Sequence, residues 1–147
     1  MEKMNFSTSI NAPKEKVWST LWNDATYRKW TSVFSETSYA DTDWKEGSTV
    51  RFIDAKGSGM LSKIETSKHA EFMSFKHLGI LKDGGVEDTE SSEAKSFAGA
   101  LENYTLKEEN GVTRLSVDMD VSEEFKSFLV DAFPKALEQV KILAESN

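Results

Sequence analysis

Cysteine is absent from this sequence, and that excludes a disulfide framework, a thiolate zinc site and a cysteine nucleophile. Histidine is nearly absent: His69 and His77 are the only two. They stand too far apart to make a metal constellation without cysteine, so neither metal nor cofactor is expected. Base is in short supply as well. The 18 Lys and Arg face 25 acids, a formal charge of −7, which repels a phosphate backbone and argues against nucleic-acid binding. No apolar run approaches the ~18 residues of a membrane span. The opening MEKMNFSTSINAP lacks the apolar stretch of a secretory signal, so a cytoplasmic location is expected. No Ser-His-Asp order, phosphate-cradling glycine loop or paired-carboxylate motif stands out. Glu87, Asp88, Glu90 and Glu93 lack the tight spacing of a calcium loop.

What the chain does have is aromatic bulk and one long amphipathic segment. Four tryptophans and nine phenylalanines sit among 147 residues that are 38% hydrophobic, enough for one core in one domain spanning residues 1–147. From Glu123 to Glu145 the apolar residues Phe125, Phe128, Leu129, Ala132, Phe133, Ala136, Leu137, Val140, Leu143 and Ala144 recur at helical spacing. The predicted helix is about 34 Å long, enough to cross a small domain. Ser122 is placed to cap it, with Glu123 and Glu124 at its positive end. Pro134 falls mid-helix, where it removes the N–H that would reach the Val130 carbonyl. That costs about 3 kcal/mol unless the helix bends; the bend either follows the curvature of a sheet or lets the helix open.

The rest of the chain reads mostly as strands. Residues 4–10 alternate, Asn11-Ala12-Pro13 ends them, and Lys14 to Trp22 places Val17, Trp18, Leu21 and Trp22 on one side of a short helix. With Asp24 as a cap, Ala25 to Trp30 makes a second. Strands are then expected at Val33 to Ala40, Ser48 to Ala55, Met60 to Thr66, Glu71 to Leu78, Ala100 to Glu108 and Thr113 to Val121. Lys56-Gly57-Ser58-Gly59 and Asn110-Gly111 are the hairpin turns. Residues 79–99 show little periodicity and read as a long mobile loop. The order implies an α+β fold: a curved antiparallel sheet of roughly six to seven strands wrapped around the C-terminal helix, with two short helices after the first strand.

This order, carried by Ile10-x-Ala12-Pro13-x-x-x-Val17-Trp18, Gly47 before a strand, the Gly57-x-Gly59 hairpin, Gly111-x-Thr113-x-Leu115 and the Phe-rich closing helix, resembles the START-like (SRPBCC, birch-pollen-allergen-like) superfamily and its helix-grip fold. The branch it looks most similar to is named after the activator of the heat-shock-protein ATPase. The resemblance implies a cavity between sheet and helix for apolar or amphipathic small molecules such as lipids, sterols or polyketides. It implies no common catalytic residue.

Trp18, Trp22, Trp30, Phe52, Phe75, Tyr104, Phe125, Phe128 and Phe133 are either pocket wall or plain core. As a set, such large flat side chains on both layers favour a partly open cavity. Together with His77, Met119 and Leu129 they form the candidate ligand-binding set. His77 shares a predicted face with Met73 and Phe75; it is either the polar group of an apolar pocket or a strand-end histidine bonded to a backbone carbonyl. His69 falls in a turn and is expected to be exposed. Glu102 and Tyr104 share a predicted face and would suit an acid/base pair in a cyclase- or dehydratase-type enzyme. Their spacing is not diagnostic, so no catalytic residue is assigned. The expected partner is a hydrophobic small molecule; the alternative is a chaperone docked on an exposed face of the sheet.

Overall fold

The computed structural model describes residues 1–146. In chain order the elements are β1 (Glu2–Ile10), α1 (Lys14–Trp22), α2 (Asp24–Thr31), β2 (Tyr39–Asp41), β3 (Thr49–Ile53), β4 (Gly59–Lys68), β5 (Phe72–Lys82), β6 (Val86–Asp88), α3 (Ser92–Phe97), β7 (Leu101–Glu109), β8 (Val112–Val121) and α4 (Glu123–Glu145). All strands join one sheet in the order β1-β8-β7-β5-β4-β3-β2, with β6 paired to β5 off that path. Every pairing is antiparallel. The β4–β5 register shifts between Leu61 and Ser62 and again between Ile64 and Thr66, irregularities of the kind that bend a sheet. The expected α+β helix-grip is present: the sheet folds over α4, and α1 and α2 follow β1. No helix among the described residues is long and apolar enough to cross a membrane.

Alternation dictates the sheet's inner face. Along β8, Thr113, Leu115, Val117, Met119 and Val121 are buried while Arg114 is exposed, and Tyr104 and Leu106 of β7 bury beside them. Gly59 is where only glycine fits, because a Cβ would overlap the Phe52 carbonyl oxygen.

Several expectations are corrected. Residues 33–38 are turns, and only Tyr39–Asp41 pairs as a strand. The N–H groups of Phe34 and Ser35 turn back to the Thr31 carbonyl instead of entering a ladder. Residues 79–99 are not a long loop. β5 continues to Lys82, a Gly84-Gly85 turn leads into β6, and α3 follows. Periodicity missed them because they are a three-residue strand and a six-residue helix. Their order comes from Asp88, whose carboxylate accepts from the Ser91 N–H and hydroxyl (3.0 and 2.6 Å), while Ser91 Oγ caps the Ala94 N–H. Neither predicted serine or aspartate cap forms on the other helices. Ser122 sits at the N-cap of α4 without a side-chain cap bond, and Asp24 lies inside α2, paired with Arg28 at 3.0 Å.

α4 is held unevenly. From Ala132 onward its inner face is buried through Phe133, Ala136, Leu137, Val140 and Ala144. Phe133 stacks on Phe6 of β1 at 5.0 Å between ring centroids. At the C-terminal end Lys141 Nζ donates to the Ser9 carbonyl (2.8 Å), and the Asn11 N–H donates to Glu145 (2.8 Å). The first half differs: Phe125 and Phe128 are 36% and 50% exposed, although the sequence pattern puts them on the buried stripe. Alanines allow close approach over the second half, and Pro134 falls where that begins. Its missing N–H leaves the Val130 carbonyl without its intrahelical donor. Replacing Pro134, itself exposed, by alanine restores that bond. Urea unfolding should show the Pro134→Ala protein more stable, by up to about 3 kcal/mol; an unchanged or lower midpoint would mean that the proline's bend is needed for packing on β1.

Candidate functional site

Where the first half of α4 stands off the sheet there is a cavity of about 500 Å³, within the range of small-molecule sites. α2 contributes Trp30 and α1 contributes Trp22. The strands contribute Phe52, Phe75, His77, Tyr104 and Met119, and α4 contributes Phe125, Phe128, Leu129 and Phe133. Trp18 is the candidate that does not belong. It is buried behind the wall, edge-on to Trp22 (6.2 Å) and to the exposed His69 (5.8 Å). Helical spacing put it on the same side as Trp22, but one turn further from the cavity.

The wall is an aromatic lattice rather than a set of separate plates. Trp22 is its hub, edge-on to Phe75 (5.4 Å), Tyr104 (5.0 Å) and Trp30 (6.4 Å), contacts worth about 0.5–1.5 kcal/mol each beyond area burial. Trp44 backs it at 5.2 Å from a backbone with φ of 62°, an unusual conformation for a tryptophan. Sequence reading missed Trp44, and missed Tyr27, Phe34, Met60, Ile80, Leu81 and Phe97 in the lining. Tyr27 was the legible one, three residues before Trp30 on α2. Ile80, Leu81 and Phe97 lay in the segment taken for a loop.

One polar string crosses this apolar wall. Ser62 and His77 are register partners across β4 and β5, and Ser62 Oγ lies 2.6 Å from His77 Nδ1. With the ring proton on Nε2, the hydroxyl donates to Nδ1. Of the two sequence-level options for His77, the buried pocket position is the observed one, and its side-chain partner is a hydroxyl, not a carbonyl. Nε2 faces Glu102 Oε1 at 3.6 Å, beyond hydrogen-bond length. Glu102 pairs opposite Phe75 in the β5–β7 register, and its Oε2 accepts a 2.5 Å bond from the Tyr104 hydroxyl two residues on. Burial, then the Glu102 charge, push the Tyr104 phenol well above its ordinary range. Burial and the same carboxylate also push Tyr27 up. Both phenols are therefore neutral, and Tyr104 donates to Glu102. Two more polar atoms are unsatisfied: Trp22 Nε1 and Ser122 Oγ are the buried side-chain atoms without a partner among the described residues, and both side chains line the cavity. In a well-packed core such orphans are rare.

The profile of the family described as activator of Hsp90 ATPase homolog 1-like protein matches residues 11–140. No curated protein matches significantly. Among solved structures, the Aha1 dimer from Colwellia psychrerythraea is similar with a TM-score of 0.72 at 17% identity, covering 99% of this chain and 97% of that one. Protein MLL2253 from Mesorhizobium loti gives 0.71 at 14% identity, with 97% and 96% covered. DynU16, a protein of the dynemicin biosynthetic locus, gives 0.73 at 13% identity; 99% of this chain covers 48% of it. Identities this low establish the shared fold.

The raised phenols carry a pH consequence. A tyrosine whose folded pKa lies above its unfolded ~10 contributes stability that is intact below pH ~10 and is lost as pH rises further, because the unfolded chain gives up the proton first. Absorbance titration at 295 nm should therefore leave at least two of the three tyrosines protonated past pH ~11 until the fold melts. Thermal midpoints should fall over that same interval. Full ionisation of all the phenols near pH ~10 in folded protein would contradict the buried geometry.

Proposed function

Since the chain belongs to the activator of Hsp90 ATPase homolog 1-like family, within the START-like (SRPBCC) superfamily, we propose that it binds an apolar or amphipathic small molecule between α4 and the sheet. The observation that carries this reading is the aromatic-walled cavity of about 500 Å³, with unpaired Trp22 Nε1 and Ser122 Oγ on its lining side chains. A solid core has no need of such a space, and empty volume of that size forfeits packing. Burying about 300 Å² of apolar ligand surface would contribute about 7 kcal/mol before association costs. His77, Glu102 and Tyr104, which line the cavity, would then fix the ligand's orientation. The exposed Phe125 and Phe128 lie at the entrance, where a ligand would cover them.

The similarity to the Aha1 dimer supports the architecture; a chaperone partner does not follow from it. The Glu102–Tyr104 hydrogen bond is read as an orienting contact. Both of its members are held in a static pair, with Tyr104 kept a donor by burial.

N-phenyl-1-naphthylamine, a neutral fluorophore, should bind saturably at one site per chain. Leu129→Trp, which projects an indole into the cavity from α4, should weaken it by about tenfold or more while the fold survives. Organic extraction and mass spectrometry of the purified protein should recover a co-purifying amphiphile. Flat titrations in wild type, with no extractable ligand, would remove this reading.

A further inference from the structure

The charge around the cavity is one-sided. Glu93, Glu102 and Asp120 line it, and among the described residues no lysine or arginine does. Lys3, itself exposed, pairs with Asp120 at 3.1 Å, and Lys126 pairs with Glu2 at 2.9 Å. Asp120 is also capped by the Leu101 N–H at 2.9 Å, so its charge is compensated. Glu102 is different. Its side chain is 23% exposed, and among the described residues the one basic side chain against it is His77, at 3.6 Å. Tyr104 occupies part of Oε2, which leaves acceptor capacity on both oxygens. The surroundings of this carboxylate are aromatic: Phe75 opposite it in the register, Tyr104 bonded to it, and Tyr27 in the lining of the same cavity.

A carboxylate with little water and no Lys or Arg partner favours a positive charge brought to it, and aromatic rings around the same point add cation–π attraction. The same field opposes a fatty acid, whose own carboxylate would enter a region already negative. We propose that the cavity selects an amphipathic organic cation, a protonated amine on an apolar body, with its ammonium donating to Glu102 among Phe75, Tyr27 and Tyr104. This rests on the cavity reading and narrows it to a ligand class.

The test compares dodecylamine, 1-dodecanol and dodecanoate, which share a tail and differ in head charge. Binding is read by tryptophan emission below micellar concentrations, at neutral pH and fixed salt. Dodecylamine should bind about tenfold tighter than the alcohol, and the alcohol tighter than the acid. Glu102→Gln, which can still accept from Tyr104, should bring the amine to within about twofold of the alcohol when both are measured on that variant. Circular dichroism and thermal melting of the variant check that its fold is intact. Glu109→Gln, which removes the same unit of charge from an exposed side chain outside the lining, should keep the amine's advantage. Dodecanoate binding as tightly as the amine would overturn the proposal. So would an amine advantage that persists in Glu102→Gln, since attraction to the overall charge of −7 would then explain it. If none of the three compounds binds, the cavity reading itself fails; if the alcohol binds and the ranking is wrong, only the cation preference does.

Discussion

Uneven anchoring of α4 is the constraint on which the rest of this structure depends. Over its second half the helix meets β1 and α1 through Ala132, Phe133, Ala136, Leu137, Val140 and Ala144, small residues alternating with large ones so that the layers interdigitate. The Phe6–Phe133 stack and the Lys141 and Glu145 bonds to the β1 end fix that half. Over its first half the inward side chains are bulky: Phe125 tilts against Phe97 of α3 (5.3 Å) and Phe128 against Phe34 (6.4 Å), while rings from α2, β5 and β7 line the rest of the cavity. Two aromatic surfaces cannot close on each other as alanine closes on valine, and the space left over is the cavity.

That space would be costly if it were simply void. It is made tolerable by a wall that supports itself: Trp22 is held edge-on by its neighbours, and Trp30 is fixed by donating Nε1–H to the Leu21 carbonyl at 3.0 Å. Preorganisation of this kind lets an apolar site accept a ligand without first reordering its own side chains. The polar string plays the complementary part. Ser62 holds His77 and Tyr104 holds Glu102, so each directional group of the cavity is positioned by a hydrogen bond.

A shared fold does not bring a shared activity. Structural relatives at 13–17% identity include an Aha1 dimer and a protein from a biosynthetic locus; what unites them is a sheet folded around a helix. Specificity must reside in the few polar groups each member places inside. Here those groups are acidic and phenolic.

The amino-acid sequence on its own determined the elements and their faces. Strict alternation from Thr113 to Val121, the helical stripe after Glu123 and the Asn110-Gly111 turn are local signals, and each follows from backbone geometry acting over a few residues. They sufficed for the helix-grip arrangement, and for most of the aromatic residues that line the cavity. Signals of three to six residues were too short to show a period, so β6 and α3 read as loop. Everything that depends on two distant segments meeting was decided by the tertiary structure. Ser62 faces His77, and Glu102 comes diagonally within reach of it, only because of strand register. Phe125 and Phe128 lie on the same helical face as Ala132 and Ala136, yet only the latter pair is buried. Periodicity says which side of a helix is apolar; how far the opposite layer approaches that side depends on the volume of side chains remote in sequence.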